Sequence, residues 1–456
     1  MPYRLIAYAH FQPMPKRVFI TVAEVSGDQH AAVLARALWQ LDPSMVIEGH
    51  GGSAMSAAGV VIHHETVNRA TMFIRAALRA VEIWKLLRWT KHYYRQSKPD
   101  LHICIDSSGM NLHLAKMARS CGVPVLYYIS PQLWASRAGR ITQVRQFVNR
   151  VACILPFEEP YYRQRGVAAT FVGHPLFDQL LPDRQLSPEP VTAFTPVGSA
   201  TEYKDESQMP GWHGPVLMPV SPSKPNTTGM STCPCHPVKE TSDFHDGIEN
   251  LSSPVIGLMP GSRRAEIRGN WPHMLEVADR IRAAFPQARF EVSTTPPTHA
   301  LVCELAAGRN DMRIEQGAID AMAPGWDFCI AKSGTTTLHV AAYAVPMIVV
   351  FRASKWVWHL AARWLIKTPS IALVNILAER SAPESGIPKH RIVPEIIPWN
   401  GPNAPVAELA IDFLRHPEKR KAQRNDLLKL VATLDRQGAS QRVAEIAMEM
   451  MNPPNH

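Results

Sequence analysis

"DFCIAKSGTTTLHVAAYAVPMIVV", residues 327–350, contains a whole folding unit: an apolar run, a Ser333-Gly334-Thr335 corner, a helical stretch and a second apolar run. Continuous apolar strands joined through a helix belong to parallel sheets buried on both faces, whereas a half-solvated antiparallel pair would alternate polar and apolar residues. The pattern repeats outward in both directions. "RVFITVAEVSGD" (17–28) leads into "QHAAVLARALWQL", and "DLHICID" (100–106) leads into "LHLAKMARSCG" and then "VPVLYYI". "VIGLMPGSRRAEI" (255–267) leads into "WPHMLEVADRIRAAF" and "ARFEVSTT". The expected fold is α/β, with Rossmann-like, doubly wound parallel sheets.

A chain of 456 residues is too long for one ordinary core, so two such units are expected. With 46% hydrophobic and 19% charged residues, the composition excludes a wholly disordered chain. Basic side chains outnumber acidic ones 48 to 39, a formal charge of +9 that suits nucleic acid, phosphorylated metabolites or an anionic bilayer face. Seven cysteines at irregular spacing argue for a reducing compartment rather than a disulfide scaffold. Cys233-Pro-Cys235-His236 has no second ligand pair at finger spacing, so no metal is expected there. No apolar run reaches the roughly 18 to 20 residues of a spanning helix, and the opening apolar patch, broken by His10 and prolines, is not a secretory signal.

Composition changes abruptly at 184–253, which is crowded with Pro, Ser and Thr and has no lasting period. It reads as a flexible insert. The expected organisation is a tail (1–16), a first α/β unit (17–183), the insert (184–253), a second α/β unit (254–400) and C-terminal helices (401–456), with a cleft between the two units.

The chemistry sits at the corners. Arg263 follows a strand and a Gly-Ser turn, where amides and a guanidinium can hold a diphosphate; an ordinary solvated arginine is the alternative. Ser333, Gly334 and Thr335 form a second anion corner, with simple helix capping as its alternative. Lys332-Ser333 is not a P-loop, because Ala331 stands where the glycine before the lysine is required. Glu24, Ser26, Gly27 and Asp28 lie at the first strand-to-helix corner, and "EGHGGSAM" (48–55) follows without the dinucleotide glycine fingerprint. Asp106 ends a buried strand, placed either to act as general base towards a hydroxyl or to cap the next helix.

Two stretches mix cations with large aromatics. Lys355, His359, Arg363 and Lys367 recur beside Trp356 and Trp364, and "IRAALRAVEIWKLLRWTKHYYR" (74–95) does likewise. They suit an anionic lipid interface or an amphipathic helix packed on its own domain, and no RNA-binding signature accompanies them.

In one order the chain carries "AEVSGD", "GHGGSAM", "KPDLHICID", "YYISPQLWASR", "LPFEEPYY", "FVGHPLFD", "LMPGSRRAEI", "SGTTTLHVA" and "LIKTPSIALVNILAER". Together these resemble the lipid-A-disaccharide synthase family, glycosyltransferases of the B-type architecture with two Rossmann-like domains facing a cleft. The resemblance spans about residues 17–180 and 254–400 and leaves the insert outside. It implies transfer of 2,3-diacylglucosamine from its UDP derivative to the 6-hydroxyl of 2,3-diacylglucosamine 1-phosphate, giving a β-1,6 disaccharide and UDP. It further implies a cytoplasmic enzyme peripheral to the inner face of the membrane, with no metal, no cofactor beyond the UDP-sugar substrate and no nucleic-acid partner; a homo-oligomer is left open. By the same match, Asp106 is the catalytic base, and Glu24, also in the catalytic set, lies with Ser26 at the first-domain corner facing the cleft. Arg263 and Asn375 match positions associated with UDP, Ser333, Gly334 and Thr335 would hold phosphate, and His339 stands where the family has a glutamate suited to a ribose hydroxyl. The family's "DAPDFN" reads "DSSGMN", with Gly109 for the second aspartate, and its "MGxxEVL" reads "MFIRAAL", with Phe73 and Ala76. A UDP-sugar epimerase, another nucleotide-sugar transferase, and a non-catalytic nucleotide-sugar or lipid-binding relative are the alternatives; dependence on acylated substrates and UDP release separate them.

Overall fold

A computed structural model describes residues 15–67, 76–134, 138–178, 251–309, 311–352, 369–381, 391–434 and 436–452, with Leu180 and Ile387 beside them. Most of the 184–253 insert, the Cys233–His236 stretch, Phe73 and the cationic segment from 353 to 368 lie outside the described residues.

The first half is a sheet of β1 (Arg17–Thr21), β2 (Val46–Gly51), β3 (Val61–Glu65), β4 (Leu101–Ile105), β5 (Val125–Tyr128), β6 (Arg150–Cys153) and β7 (Ala169–Phe171). Its order is β3-β2-β1-β4-β5-β6-β7, and every pairing is parallel. The helices are α1 (Val25–Leu41), α2 (Ser53–Ala57), α3 (Ala76–Gln96), α4 (Ser108–Ser120), α5 (Ile141–Phe147) and α6 (Glu158–Arg163). The central strands β1 and β4 are buried on both faces, as continuous apolar runs require. β1 and β2 run so close that a Cβ on Gly49 would fall 1.8 Å from the Ile20 carbonyl oxygen, so only glycine fits there.

The second sheet repeats the plan with β8 (Val255–Met259), β9 (Arg289–Thr294), β10 (Met312–Gln316), β11 (Phe328–Lys332), β12 (Met347–Val350) and β13 (Glu395–Ile396), ordered β10-β9-β8-β11-β12-β13 and again parallel. Its helices are α7 (Arg264–Ala284), α8 (Pro296–Leu305), α9 (Ile319–Met322), α10 (Thr336–Ala342), α11 (Leu373–Glu379), α12 (Ala404–Arg415) and α13 (Pro417–Ala432). Two doubly wound parallel sheets are thus present, as the apolar runs and intervening helices require.

The last helix, α14 (Ala439–Met451), returns to the first half. It lies along α1, with Val443, Ala444, Ile446 and Ala447 buried in the core shared by both sheets. Asp178, just after β7, accepts N–H bonds from Gly438 at 2.7 Å, Ala439 at 3.1 Å and Ser440 at 3.2 Å. An acidic side chain from the first half therefore satisfies the orphan donors at the start of α14, where the helix dipole also favours it. Arg442 Nε adds a 2.7 Å bond to the Val172 carbonyl.

Along α3, Leu86, Thr90 and Tyr94 are buried while Val81 and Trp84 are about half exposed, and the Arg88 guanidinium lies 5.5 Å from the Trp84 ring centroid. One face packs on the domain, and the other presents cations and an indole to solvent. No described helix is long and apolar enough to cross a membrane.

Candidate functional site

In each sheet the chain order reverses at one place, between β1 and β4 in the first and between β8 and β11 in the second. Beyond the carboxyl ends of strands at such a reversal the connections diverge and leave a crevice. Seven of the residues named from sequence fall at these two places. Glu24 and Ser26 follow β1 and Asp106 follows β4; Arg263 follows β8, and Ser333–Thr335 follow β11.

Asp106 and Ser107 both sit in the left-handed region, with φ of 51° and 45°. Two consecutive non-glycine residues there store backbone strain, which persists only where neighbours over-determine it. Asn111 does so: its Nδ2 donates to the carbonyls of Asp106 and Ile105, both at 2.8 Å. The Tyr127 hydroxyl donates to the same Asp106 carbonyl at 2.6 Å.

Behind Asn111 runs a buried chain. Thr21 Oγ1 donates to Asn111 Oδ1 at 2.8 Å, so it accepts from His102 Nε2 at 3.0 Å, and His102 Nδ1 accepts from the Tyr94 hydroxyl at 2.8 Å. Burial lowers the His102 pKa to about 3, so the chain is neutral and its tautomer fixed. The capping alternative for Asp106 is not realised: Ser107 occupies the N-cap of α4, without a side-chain cap bond.

Held this way, the Asp106 carboxyl has its Oδ2 closed off from solvent and without a hydrogen-bond partner among the described residues, as is Ser107 Oγ. Burial, then the nearby charge of Glu24, push the Asp106 pKa up to about 7, against a smaller lowering by the Ser107 amide. A carboxyl that titrates near neutrality and has an unfilled oxygen is suited to accept a proton from an incoming hydroxyl. Ser26 is buried in the first turn of α1. Asp28 in that turn has a structural task, accepting N–H bonds from Gly52 at 2.8 Å, Ala54 at 2.8 Å and Met55 at 3.2 Å.

In the second sheet, Arg263 is the N-cap of α7, exposed and extended. Gly261 makes the turn at φ 120°, where a Cβ would come within 2.7 Å of Glu266 Oε2. Glu266 accepts the Ser262 amide at 3.2 Å through Oε2 and pairs with Lys332 Nζ at 3.0 Å through Oε1. This carboxylate joins the Arg263 turn to the Ser333 turn. Thr335 is the N-cap of α10 and makes no side-chain cap bond, while Ser333 Oγ reaches the Ile371 carbonyl at 3.4 Å.

Two of the residues that the resemblance assigned to the nucleotide have side chains engaged by neighbours within the second half. Asn375 is fully buried: Nδ2 donates to the Val393 carbonyl at 2.8 Å and to Glu395 Oε1 at 2.7 Å, and Oδ1 accepts the Val393 amide at 3.0 Å. Its amide fastens α11 to β13 and the segment just before it. His339 is buried with Nε2 at 2.5 Å from Asp320 Oδ1, which also accepts the Tyr343 hydroxyl at 2.7 Å. Its Nε2 is thus committed within the second half.

Sequence reasoning did not single out the Glu266–Lys332 tie or the Thr21–His102–Tyr94 chain. The first carried a faint signal, a glutamate three residues after Arg263 on the same helix face; the second had none, because its members come from β1, β4 and α3. Histidines also gather where the halves meet: burial, then His30 and His339, lower His174 to about 3. Among the described residues no group of three or more His, Cys, Asp or Glu is placed to hold a metal.

Comparison with known proteins bears on this arrangement. The family model described as lipid-A-disaccharide synthetase matches residues 18–189 and 238–449, leaving 190–237 between the matched stretches. The lipid-A-disaccharide synthase of Anaeromyxobacter dehalogenans (strain 2CP-C) is 30% identical over 439 residues, covering 95% of this chain and 97% of that one. That of Geobacter metallireducens is also 30% identical over 439 residues, covering 96% and 97%. Among solved structures, the UDP-GlcNAc 2-epimerase of Neisseria meningitidis bound to UDP-GlcNAc is similar in fold, with a TM-score of 0.53 and 10% identity over 95% of this chain and 99% of that one.

Proposed function

The chain belongs to the lipid-A-disaccharide synthase family, and from that premise we propose how its residues divide the work of a glycosyltransferase of lipid A biosynthesis. The donor is a UDP-sugar; we assign it as UDP-2,3-diacylglucosamine, with 2,3-diacylglucosamine 1-phosphate as acceptor. The observation that carries this division is Asp106, a carboxyl with a pKa of about 7 held in a strained corner at the switch point of the first sheet. Its carboxylate takes the proton of the acceptor 6-hydroxyl. The oxygen attacks the anomeric carbon from the face opposite UDP, and the sugar–phosphate bond breaks with its electron pair on the departing β-phosphate. One displacement inverts the anomeric centre to the β-linkage. The negative charge gathering on UDP is met by the Arg263 guanidinium and by the amides and hydroxyls of Ser333–Thr335.

Glu24 keeps Asp106 poised by raising its pKa, and Ser26 lines the same corner. The positive charge of the chain and the exposed Trp84–Arg88 face of α3 support work at an anionic membrane surface on the cytoplasmic side. Incubation of the purified protein with both acylated substrates is expected to release UDP and form disaccharide in equal amounts. Epimerised UDP-sugar in the absence of acceptor would indicate the epimerase chemistry instead, and binding of UDP without turnover a non-catalytic relative.

A further inference from the structure

Arg380 follows α11 in the second half, yet its guanidinium carbon lies 4.7 Å from the centroid of the Trp134 ring and 5.1 Å from that of Phe157. Both rings belong to the first half: Trp134 lies in the segment after β5, and Phe157 is the N-cap of α6. They meet edge to face, with centroids 4.9 Å apart. Glu158, 1% exposed, fixes the indole by accepting Trp134 Nε1–H at 3.0 Å, and it also takes the Leu155 amide at 3.2 Å. A guanidinium beside two anchored rings can engage them through its planar face as well as its charge, whereas an ammonium engages them through charge alone.

The opposite end of α11 reaches the phosphate corner. The Ile371 carbonyl accepts from Ser333 Oγ, and the amides of Ile371 and Ala372 are held by Glu395. Seven helical residues, about 10 Å of rod, separate the turn that faces the nucleotide from the arginine that grips the other half.

We infer that Arg380 is a positioning residue: seated on Trp134 and Phe157, it sets the register of the two halves so that a donor held in the second half meets the acceptor oxygen at Asp106. This rests on the transferase reading of the cleft. It touches neither substrate; it acts through the placement of α11.

The test uses the full chain and three readouts: steady-state transfer, UDP affinity by calorimetry, and small-angle scattering. Arg380→Ala is expected to lower kcat about tenfold, the order lost with a partly buried cation–π contact. UDP affinity should stay within about twofold, because the nucleotide-facing turns are intact. Arg380→Lys should recover little of the loss. Should Arg380→Ala fail to fold, Phe157→Leu removes one ring and is expected to give a smaller loss of kcat with the same unchanged UDP affinity. Unchanged kcat, or a loss of kcat matched by an equal loss of UDP affinity, overturns the inference. Scattering reads the register without turnover: the alanine variant is expected to be more extended than wild type, and identical profiles overturn the inference. A wild type that binds UDP but forms no disaccharide would instead refute the transferase reading, leaving the scattering result to judge Arg380.

Discussion

Glu266 Oε1 stands 3.0 Å from Lys332 Nζ, so one ion pair ties the turn after β8 to the turn after β11 where the second sheet's strand order reverses. Both groups are largely buried, and removing one leaves the other under-satisfied. Lys332→Met is expected to lower unfolding stability by about 1–3 kcal/mol in urea titration and to weaken UDP binding as the Arg263 turn loosens. The double variant with Glu266→Gln should regain part of that stability; strictly additive losses would show the pair to be energetically idle.

Asp106 links rate and stability to pH with opposite signs. Its folded pKa of about 7 lies above the ordinary 3.8, so the protonated form is favoured by folding. Its contribution to stability is therefore full below pH 3.8 and lost as pH rises towards 7. Transfer needs the carboxylate, so kcat should rise around pH 7 and level off about one to two units above it. Asp106→Asn is expected to lose most turnover, keep UDP affinity, and melt higher than wild type at pH 8 but not at pH 4. Parallel melting curves at both pH values would remove the raised pKa from the account.

Arg263 projects from the start of α7 into solvent. Arg263→Ala should leave the melting temperature unchanged while weakening UDP binding by about ten- to a hundredfold, the worth of a charge-assisted hydrogen bond to phosphate. Wild-type affinity should also fall with added salt, more steeply than that of the variant. An unchanged affinity would strip Arg263 of its phosphate role.

Asp178 caps a helix that is distant in sequence. Asp178→Ala removes three N–H acceptances at the start of α14, and a loss of about 2–4 kcal/mol is expected in urea. Protease sensitivity should appear first between α13 and α14.

Residues 190–237, which the family model skips, should be dispensable. Their excision, with a short glycine-serine join, is expected to leave solubility and transfer intact. An insoluble product would mean that the insert packs.

Much of the architecture could be read directly because its cause is local. A run such as "LHICI" is buried on both faces whatever its neighbours, and a corner such as Gly261-Ser262 follows from glycine's backbone freedom. That is also why Asp106, Arg263 and Ser333 could be placed at strand ends. Asn375 and His339 were harder, since a polar side chain's task is set by its partner. Asn375 finds Val393 eighteen positions away and His339 finds Asp320 nineteen away, through topology rather than pattern. The seat of Arg380 on Trp134 and the return of α14 to α1 have no sequence period at all, because each joins segments that meet only once both sheets exist.

The return of α14 orders events on the ribosome. The side of α1 that α14 covers stays bare while some four hundred further residues are synthesised. The amino-terminal unit can acquire its strand order early, but it reaches full stability only when residues 439–451 emerge. Stalled or prematurely terminated chains should therefore be chaperone clients with a greasy flank exposed, even though their first sheet is complete.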